Sequence, residues 1–298
     1  MAEVELVLFV VVPHLGHAAA IDMFEIRLFV TKNFIPLNYP FFRVLPQVNR
    51  LYDLFEQTFM HHIIFIRYIM QPATKKQKTS STVTLYSYWR SSCSWRVRIA
   101  LAMKEIQYDY VAVHLLNNGG EQLAENYATK NPSRELPTLE IDGLCLAQSV
   151  PIIEYLEETR SNGPHLLPSD PAQRAVVRRV SEIIASGIQP VQNLRVLKYV
   201  MAKHEEPAEK TTQKLAWGKH WITDGFVALE AVLADTAGTC CVGDEVTMAD
   251  CCLVPQVYNA NRFGCDMTKF PIITKINEHL CQLSAFIAAH PSKQPDAQ

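Results

Sequence analysis

The sequence lacks a surplus of charge: 28 Lys and Arg stand against 30 Asp and Glu, a formal net charge of −2. With no basic field, neither nucleic acid nor an anionic membrane surface is indicated as a partner. Long apolar runs are missing too. Leu6–Val12 is closed by Pro13 and Ile63–Met70 is cut by Arg67, so both fall short of the roughly 18 residues that span a bilayer. There is no Cys-x-x-Cys, and Cys240/Cys241 and Cys251/Cys252 are immediate neighbours. That excludes both zinc-ribbon spacing and a dithiol redox motif. The ten histidines form no Ser-His-Asp or metal constellation that spacing supports. Residues 1–70 contain one glycine, Gly16, and no cysteine, and their apolar bursts between Pro13, Pro36, Pro40 and Pro46 keep no helical or strand period.

What is present is a chain of 298 residues, 48% hydrophobic and 19% charged. That length is a prior for about two domains with real cores. A chain of this size and apolarity does not need disulfide staples, so its eight cysteines read as reduced thiols of a cytoplasmic protein. Glu3, Glu5, Asp22 and Glu25 count against secretory and mitochondrial leaders. Met70 opens a more leader-like stretch and is a candidate alternative start, which leaves room for a mitochondrial form.

Composition changes near residue 80. Gln71–Ser81 is polar and of low complexity, with Lys75, Lys76 and Lys78, and reads as a solvated linker. Residues 1–80 are therefore an extension and linker. From Thr82 the patterns become regular. Val83–Tyr88 alternates like a half-buried strand. Trp95, Ile99, Ala102, Met103 and Ile106 make one helical stripe. Tyr108–Val113 reads as a second strand, and a looser helix is expected over 120–130. Thr138–Ile141 and Leu144–Ala147 flank Asp142-Gly143, a hairpin signal, and Ser149 is placed to cap a helix ending at Thr159. This order, βα, β, α, ββ, α over residues 82–164, is thioredoxin-like. After the turn-rich Ser161–Pro171 only helical patterns follow, over 172–187, 212–236, 247–261 and 272–289, giving an all-α domain over 170–290. Thr247-x-x-Asp250 is a capping box and assigns Asp250 a structural task.

The segment Ser91-Ser-Cys-Ser-Trp-Arg-Val-Arg-Ile-Ala-Leu101 resembles the signature of the zeta class of glutathione transferases. The likeness continues through Leu136-Pro-Thr-Leu139, Gln148-Ser149, Gly187-Ile-Gln-Pro190, Gln192-Asn-Leu194 and Val242–Asp250, and runs from Thr82 to the carboxyl end. It implies an α/β thioredoxin-like domain followed by an all-α domain, glutathione as cofactor, a small-molecule diacid substrate and a homodimer. The implied activity is glutathione-dependent isomerisation of maleylacetoacetate to fumarylacetoacetate, in tyrosine and phenylalanine catabolism, with transferase activity on α-haloacids. A generic detoxifying transferase and a non-catalytic module of the same fold remain the alternatives.

The resemblance implies glutathione contacts at Ser91, Ser92, Cys93, Ser94, Trp95, Arg96, Gln122, Leu136, Gln148, Ser149, Gln189, Asn193, Leu194 and Arg195. Among these, Ser91, Ser92 and Cys93 are also candidates for catalysis. A serine hydroxyl at a helix start can donate to a sulfur anion, a charge-assisted bond worth about 1.5–3 kcal/mol, or one to two pKa units; the bland alternative is that the serines only cap the helix. Leu136 precedes a proline expected in cis, a geometry that exposes its backbone. Arg195 replaces the small hydroxyl residue usual in the family, and Pro151 departs from the pattern within a first helical turn, where proline is tolerated. Arg262, in Tyr258-Asn-Ala-Asn-Arg-Phe263, matches a family arginine facing the substrate, and its guanidinium fork suits a carboxylate.

Overall fold

The computed structural model describes residues 4–13, 21–30 and 82–298. The chain divides into two compact units, 1–77 and 78–298. In the first, β1 (Val4–Pro13) pairs antiparallel with β2 (Ile21–Val30), with Val4 opposite Val30 and Pro13 opposite Ile21. Sequence patterning finds no strand there because β1 is a nearly unbroken Val/Leu/Phe run, rich in β-branched residues but without the alternation that marks a half-buried strand. The Gln71–Ser81 linker lies outside the described residues.

The second unit opens with β3 (Thr84–Ser87), α1 (Ser92–Met103) and β4 (Asp109–Ala112). After one helical turn, α2 (Glu125–Ala128), come β5 (Thr138–Ile141), β6 (Leu144–Ala147) and α3 (Ser149–Thr159). The sheet order is β4-β3-β5-β6, with β3 parallel to β4 and antiparallel to β5. This is the expected thioredoxin-like arrangement. The helix expected over 120–130 is instead one 3₁₀ turn, Glu121–Leu123, and α2. Gly120, at φ 126°, and the extended Ala124 break any longer run.

The helical remainder comprises α4 (Pro171–Glu182), α5 (Leu194–Met201), α6 (Pro207–Thr236), α7 (Met248–Arg262), α8 (Pro271–Leu280) and α9 (Ser284–Ala289). Here α4 runs on into a π-helical turn, Ile183–Ile188, which shifts the phase of the side chains that follow. Proline stands at the start of α4, α6 and α8, where its missing N–H leaves nothing unsatisfied. Thr211 and Thr212 sit inside α6, their hydroxyls donating back to the carbonyls of Pro207 and Ala208, so the helix begins earlier than 212. The stretch 272–289 is two helices, α8 and α9. In the expected capping box, Asp250 Oδ2 accepts from Thr247 N at 2.7 Å and Thr247 Oγ1 at 2.9 Å, while Oδ1 accepts from Cys241 N at 2.8 Å.

One continuous apolar core runs from Leu85 in the sheet to Ala289 in α9. No break in it marks the passage at 161–171. Helix α1 lies at the centre, packed against α3, α7 and α9. Its residues from Trp95 to Leu101 are buried on every side, so the single stripe expected from Trp95, Ile99 and Ala102 understates its burial. Among the described residues no helix is long and apolar enough to cross a membrane.

The passage at 161–171 is pinned to the thioredoxin-like half where α1 ends. Lys104, fully buried, pairs with Glu157 of α3 at 2.7 Å. Glu157 also accepts from Leu166 N at 2.9 Å and pairs with His165 at 2.7 Å. Gly163, at φ +66°, lies so close that an added Cβ would meet the Met103 carbonyl oxygen at 2.0 Å. Burial alone would raise the Glu157 pKa, but the hydrogen bonds from Lys104, Leu166 and His165 outweigh it and hold it below the usual range. An acid with a depressed folded-state pKa contributes stability above its unfolded value of about 4.3, and that stability disappears as pH falls through the folded value. Lys104→Met should therefore cost about 3–5 kcal/mol at neutral pH, from the charge left buried without its partner. Denaturant unfolding across pH checks this, and the gap from the parent should narrow on acidification.

Candidate active site

Strand β3 hands the chain to α1 through the turn Tyr88–Ser91, closed by Ser91 N donating to Tyr88 O at 2.9 Å. Ser91 is the N-cap of α1, and its Oγ accepts from Ser94 N at 3.2 Å. That bond uses a lone pair and leaves the hydroxyl hydrogen free to donate elsewhere. The capping and donor roles of Ser91 are thus compatible. Ser91, Ser92 and Cys93 open onto a cavity of about 880 Å³ between the sheet half and the helical half. The first N–H groups of a helix have no internal partner and favour negative charge.

The cavity gathers most of the residues singled out in the sequence. Ser91, Ser92, Cys93, Arg96, Gln122, Leu136, Gln148, Ser149, Gln189, Asn193, Leu194, Arg195 and Arg262 all line it. Ser94 and Trp95 do not: both point into the core, where Trp95 packs edge-on against Tyr258 and His290. The helical period decides this, since only some faces of α1 can look outward. The Leu136–Pro137 bond is cis. Gln148, at φ 69°, is the N-cap of α3 and Ser149 its first residue, a shift of one from the expected cap.

Several polar groups here are held open. Arg96 is 2% exposed; its Nη1 donates to Ser149 Oγ at 3.2 Å, while Nε and Nη2 are buried without partners. A buried cation with two orphan donors is costly unless an anion meets it. Because Ser149 accepts from Arg96, its own hydrogen is free to donate. Gln122 Oε1 is likewise buried and unpartnered. An anionic, peptide-like ligand with both donors and acceptors fits these groups. Asn193 caps α5, its Oδ1 accepting from Arg195 N at 3.2 Å, which leaves its amide hydrogens for a ligand. Arg195 instead pairs with Glu135 across the cavity rim, at 3.4 Å.

Arg90, beside Ser91, Lys214 of α6 and Arg262 of α7 also line the cavity. Among the described residues none of them makes an ion pair. Arg262 reaches Asn259 Oδ1 at 3.4 Å and lies 5.9 Å from the Phe263 ring. Burial and then Arg90 lower the Arg262 pKa; burial, then Arg262 and Arg90, lower that of Lys214. Arg90 and Lys214 escaped the sequence reading. Arg90 was legible by its place beside Ser91, but Lys214 is one of many polar residues on a long helix and carries no local signal. Helix α6 reaches the wall because Gly218 has no side chain: a Cβ there would sit 2.3 Å from the Phe263 ring.

A thioredoxin-like half with a serine-capped helix at its cavity, a cis-proline and a helical second half defines a glutathione transferase. Residues 81–158 match the glutathione S-transferase N-terminal domain. Maleylacetoacetate isomerase of Rattus norvegicus is 54% identical over 71% of this chain and 94% of its own length. Among solved structures, the maleyl pyruvate isomerase described as a bacterial zeta-class glutathione transferase is 40% identical, with a TM-score of 0.68 over 72% of this chain and 100% of that one. A maleylacetoacetate isomerase from Methylobacterium extorquens AM1, crystallised with malonate and glutathione, is 35% identical with a TM-score of 0.67, covering 72% and 99%. The chain belongs to the maleylacetoacetate isomerase family, the zeta class of glutathione transferases.

The mutual repulsion of the cations has a direct readout. Arg262→Ala should raise the Lys214 pKa toward that of a free lysine, as should binding of a dianion. NMR titration of isotope-labelled lysine side chains checks this; a Lys214 resonance insensitive to both would mean that the charges do not share the site.

Proposed function

We propose that the chain catalyses the glutathione-dependent cis–trans isomerisation of maleylacetoacetate to fumarylacetoacetate. The observation that carries the reading is one cavity lined both by a serine-capped helix start and by Arg90, Lys214 and Arg262, cations that make no ion pair among the described residues. Glutathione, when bound, supplies the sulfur nucleophile that adds to the cis double bond and leaves once that bond has turned.

The protein's own groups do the rest. Ser91 donates its free hydroxyl hydrogen to the sulfur, and the α1 amino terminus adds a favourable field. Ser92 and Cys93 flank that point, with Cys93 in an assisting role. Ser149 and Gln148, backed by the buried Arg96 charge, suit the γ-glutamyl carboxylate, and the Leu136 backbone suits the cysteinyl part in strand-like pairing. Gln122, Gln189, Asn193 and Leu194 complete the cradle. Arg195, engaged with Glu135, closes the rim. Ser94 and Trp95 support this by packing. Arg262 takes one substrate carboxylate and orients the double bond beside the sulfur. A dicarboxylate accompanies glutathione in the Methylobacterium relative, and the cation trio here suits the same class of ligand. The reading extends to α-haloacids as substrates, to a cytoplasmic homodimer and to a step in tyrosine and phenylalanine breakdown. Residues 1–80 fall outside the resemblance to the family and carry no part of this reading.

Ser91→Ala should raise the pKa of bound glutathione by about one to two units and slow isomerisation strongly, with Cys93→Ala milder. Ultraviolet titration of the thiolate decides it: an unchanged curve in Ser91→Ala would move the role to Ser92 or Cys93.

Arg262→Ala should lose about 1.5–3 kcal/mol in kcat/KM, ten- to a hundredfold, for diacids and α-haloacids. Conjugation of a neutral electrophile should change little, and Arg262→Lys should recover only part, since an ammonium lacks the planar two-point contact. Equal losses on charged and neutral substrates would give Arg262 a structural role and favour a generic transferase.

A further inference from the structure

The turn that carries Ser91 is held from below by the carboxyl-terminal tail. Trp89 N donates to Asp296 Oδ2 at 3.0 Å, and Tyr110 OH on β4 donates to Asp296 Oδ1 at 2.7 Å. The carbonyls on either side are held by Arg98 of α1: Nη1 donates to Tyr88 O at 3.3 Å and Nη2 to Trp89 O at 2.9 Å. Arg98 Nε reaches Ala289 O at 3.1 Å, where α9 ends. Each peptide group flanking Trp89 therefore has a fixed partner, and the partner of its N–H comes from the tail. Ser91 follows two residues later, with its own N–H bonded into this turn.

We infer that Asp296 is a positioning residue for the thiolate site. It touches neither substrate nor sulfur. By fixing the Trp89 peptide it sets the direction in which the Ser91 hydroxyl points. The geometry is specific, because one carboxylate bridges the edge strand and the turn, and a charge-assisted bond to each makes both stiff. The inference rests on the reading of Ser91 as donor to the glutathione sulfur.

The test is the ionisation of glutathione bound to full-length protein, read by thiolate absorbance, together with steady-state kinetics. Asp296→Ala should raise the bound thiol pKa by about half a unit to one unit and lower kcat about three- to tenfold, with KM for glutathione within about twofold. Asp296→Asn retains an acceptor for Trp89 N–H and should restore most of both. A parental thiol pKa and kcat in Asp296→Ala, whatever its melting temperature, would overturn the inference. Should Asp296→Ala fail to fold, Tyr110→Phe frees one oxygen of the same carboxylate; a raised thiol pKa there supports the role and an unchanged one overturns it. A parent protein that leaves the bound thiol at its solution value would bring down the reading of Ser91 as well. A parental shift that the variants leave intact would bring down Asp296 alone.

Discussion

A buried guanidinium organises this protein. Arg98 is 1% exposed, and its nitrogens donate to Ser87 Oγ, Tyr88 O, Trp89 O and Ala289 O. Burial lowers its pKa to about 10, with Tyr110, Tyr108 and Asp296 opposing that fall, so it remains a cation at neutral pH. Its position in the middle of α1 ties the end of β3, the turn before Ser91 and the end of α9 to one point. An apolar residue of similar size would fill the space and leave the Trp89 and Ala289 carbonyls without their Arg98 donors. The thioredoxin-like half and the helical half are joined there by a shared polar centre inside a shared apolar core.

The same helix presents its other arginine to the cavity, and the contrast is chemical. Arg98 is saturated, while Arg96, two residues earlier, keeps two donors unused. Alternating along one helix, the first reads as architecture and the second as reception. The cavity as a whole follows the second pattern: among the described residues Arg96 has orphan donors and Arg90, Lys214 and Arg262 make no ion pair, and helix amino termini lie at Ser92 and Ser149. A protein retains unmet positive charge in a half-enclosed space when the counter-charge arrives with the ligand.

Much of this was legible in the sequence. The Asp142-Gly143 hairpin and the capping box at Thr247–Asp250 have local signatures, because each rests on a backbone requirement that few residue types meet, whereas the cis bond before Pro137 and the cluster at Ser91–Cys93 were legible through the family resemblance. What escaped has non-local causes. The short α5 depends on Asn193 capping it and on the π turn before it, neither of which leaves a periodic trace. The single stripe of α1 does not foretell its burial on all faces, because two cations within it, Arg96 and Arg98, point away from a core reading. Ser94 and Trp95 belong to the quoted signature yet face inward, since a contiguous motif on a helix cannot face one way. Lys214 reaches the cavity from more than a hundred residues away in the chain. Strand β1 lacks alternation and so lacks a half-buried strand signal.

Helix α6 bears on how this protein can be altered. Gly218 and Gly225 stand seven residues apart, where ideal helix composition would place alanine, a change that alone favours a helix by about 1 kcal/mol. At Gly218 the added methyl would meet the ring of Phe263, the neighbour of Arg262; at Gly225 it would meet Ile188, the neighbour of Gln189, at 2.3 Å. Both glycines are docking notches for the two segments that carry the outer wall of the cavity. Thermostabilisation guided by helix propensity would select these positions first, yet the overpacking would outweigh the propensity gain and displace the cavity wall.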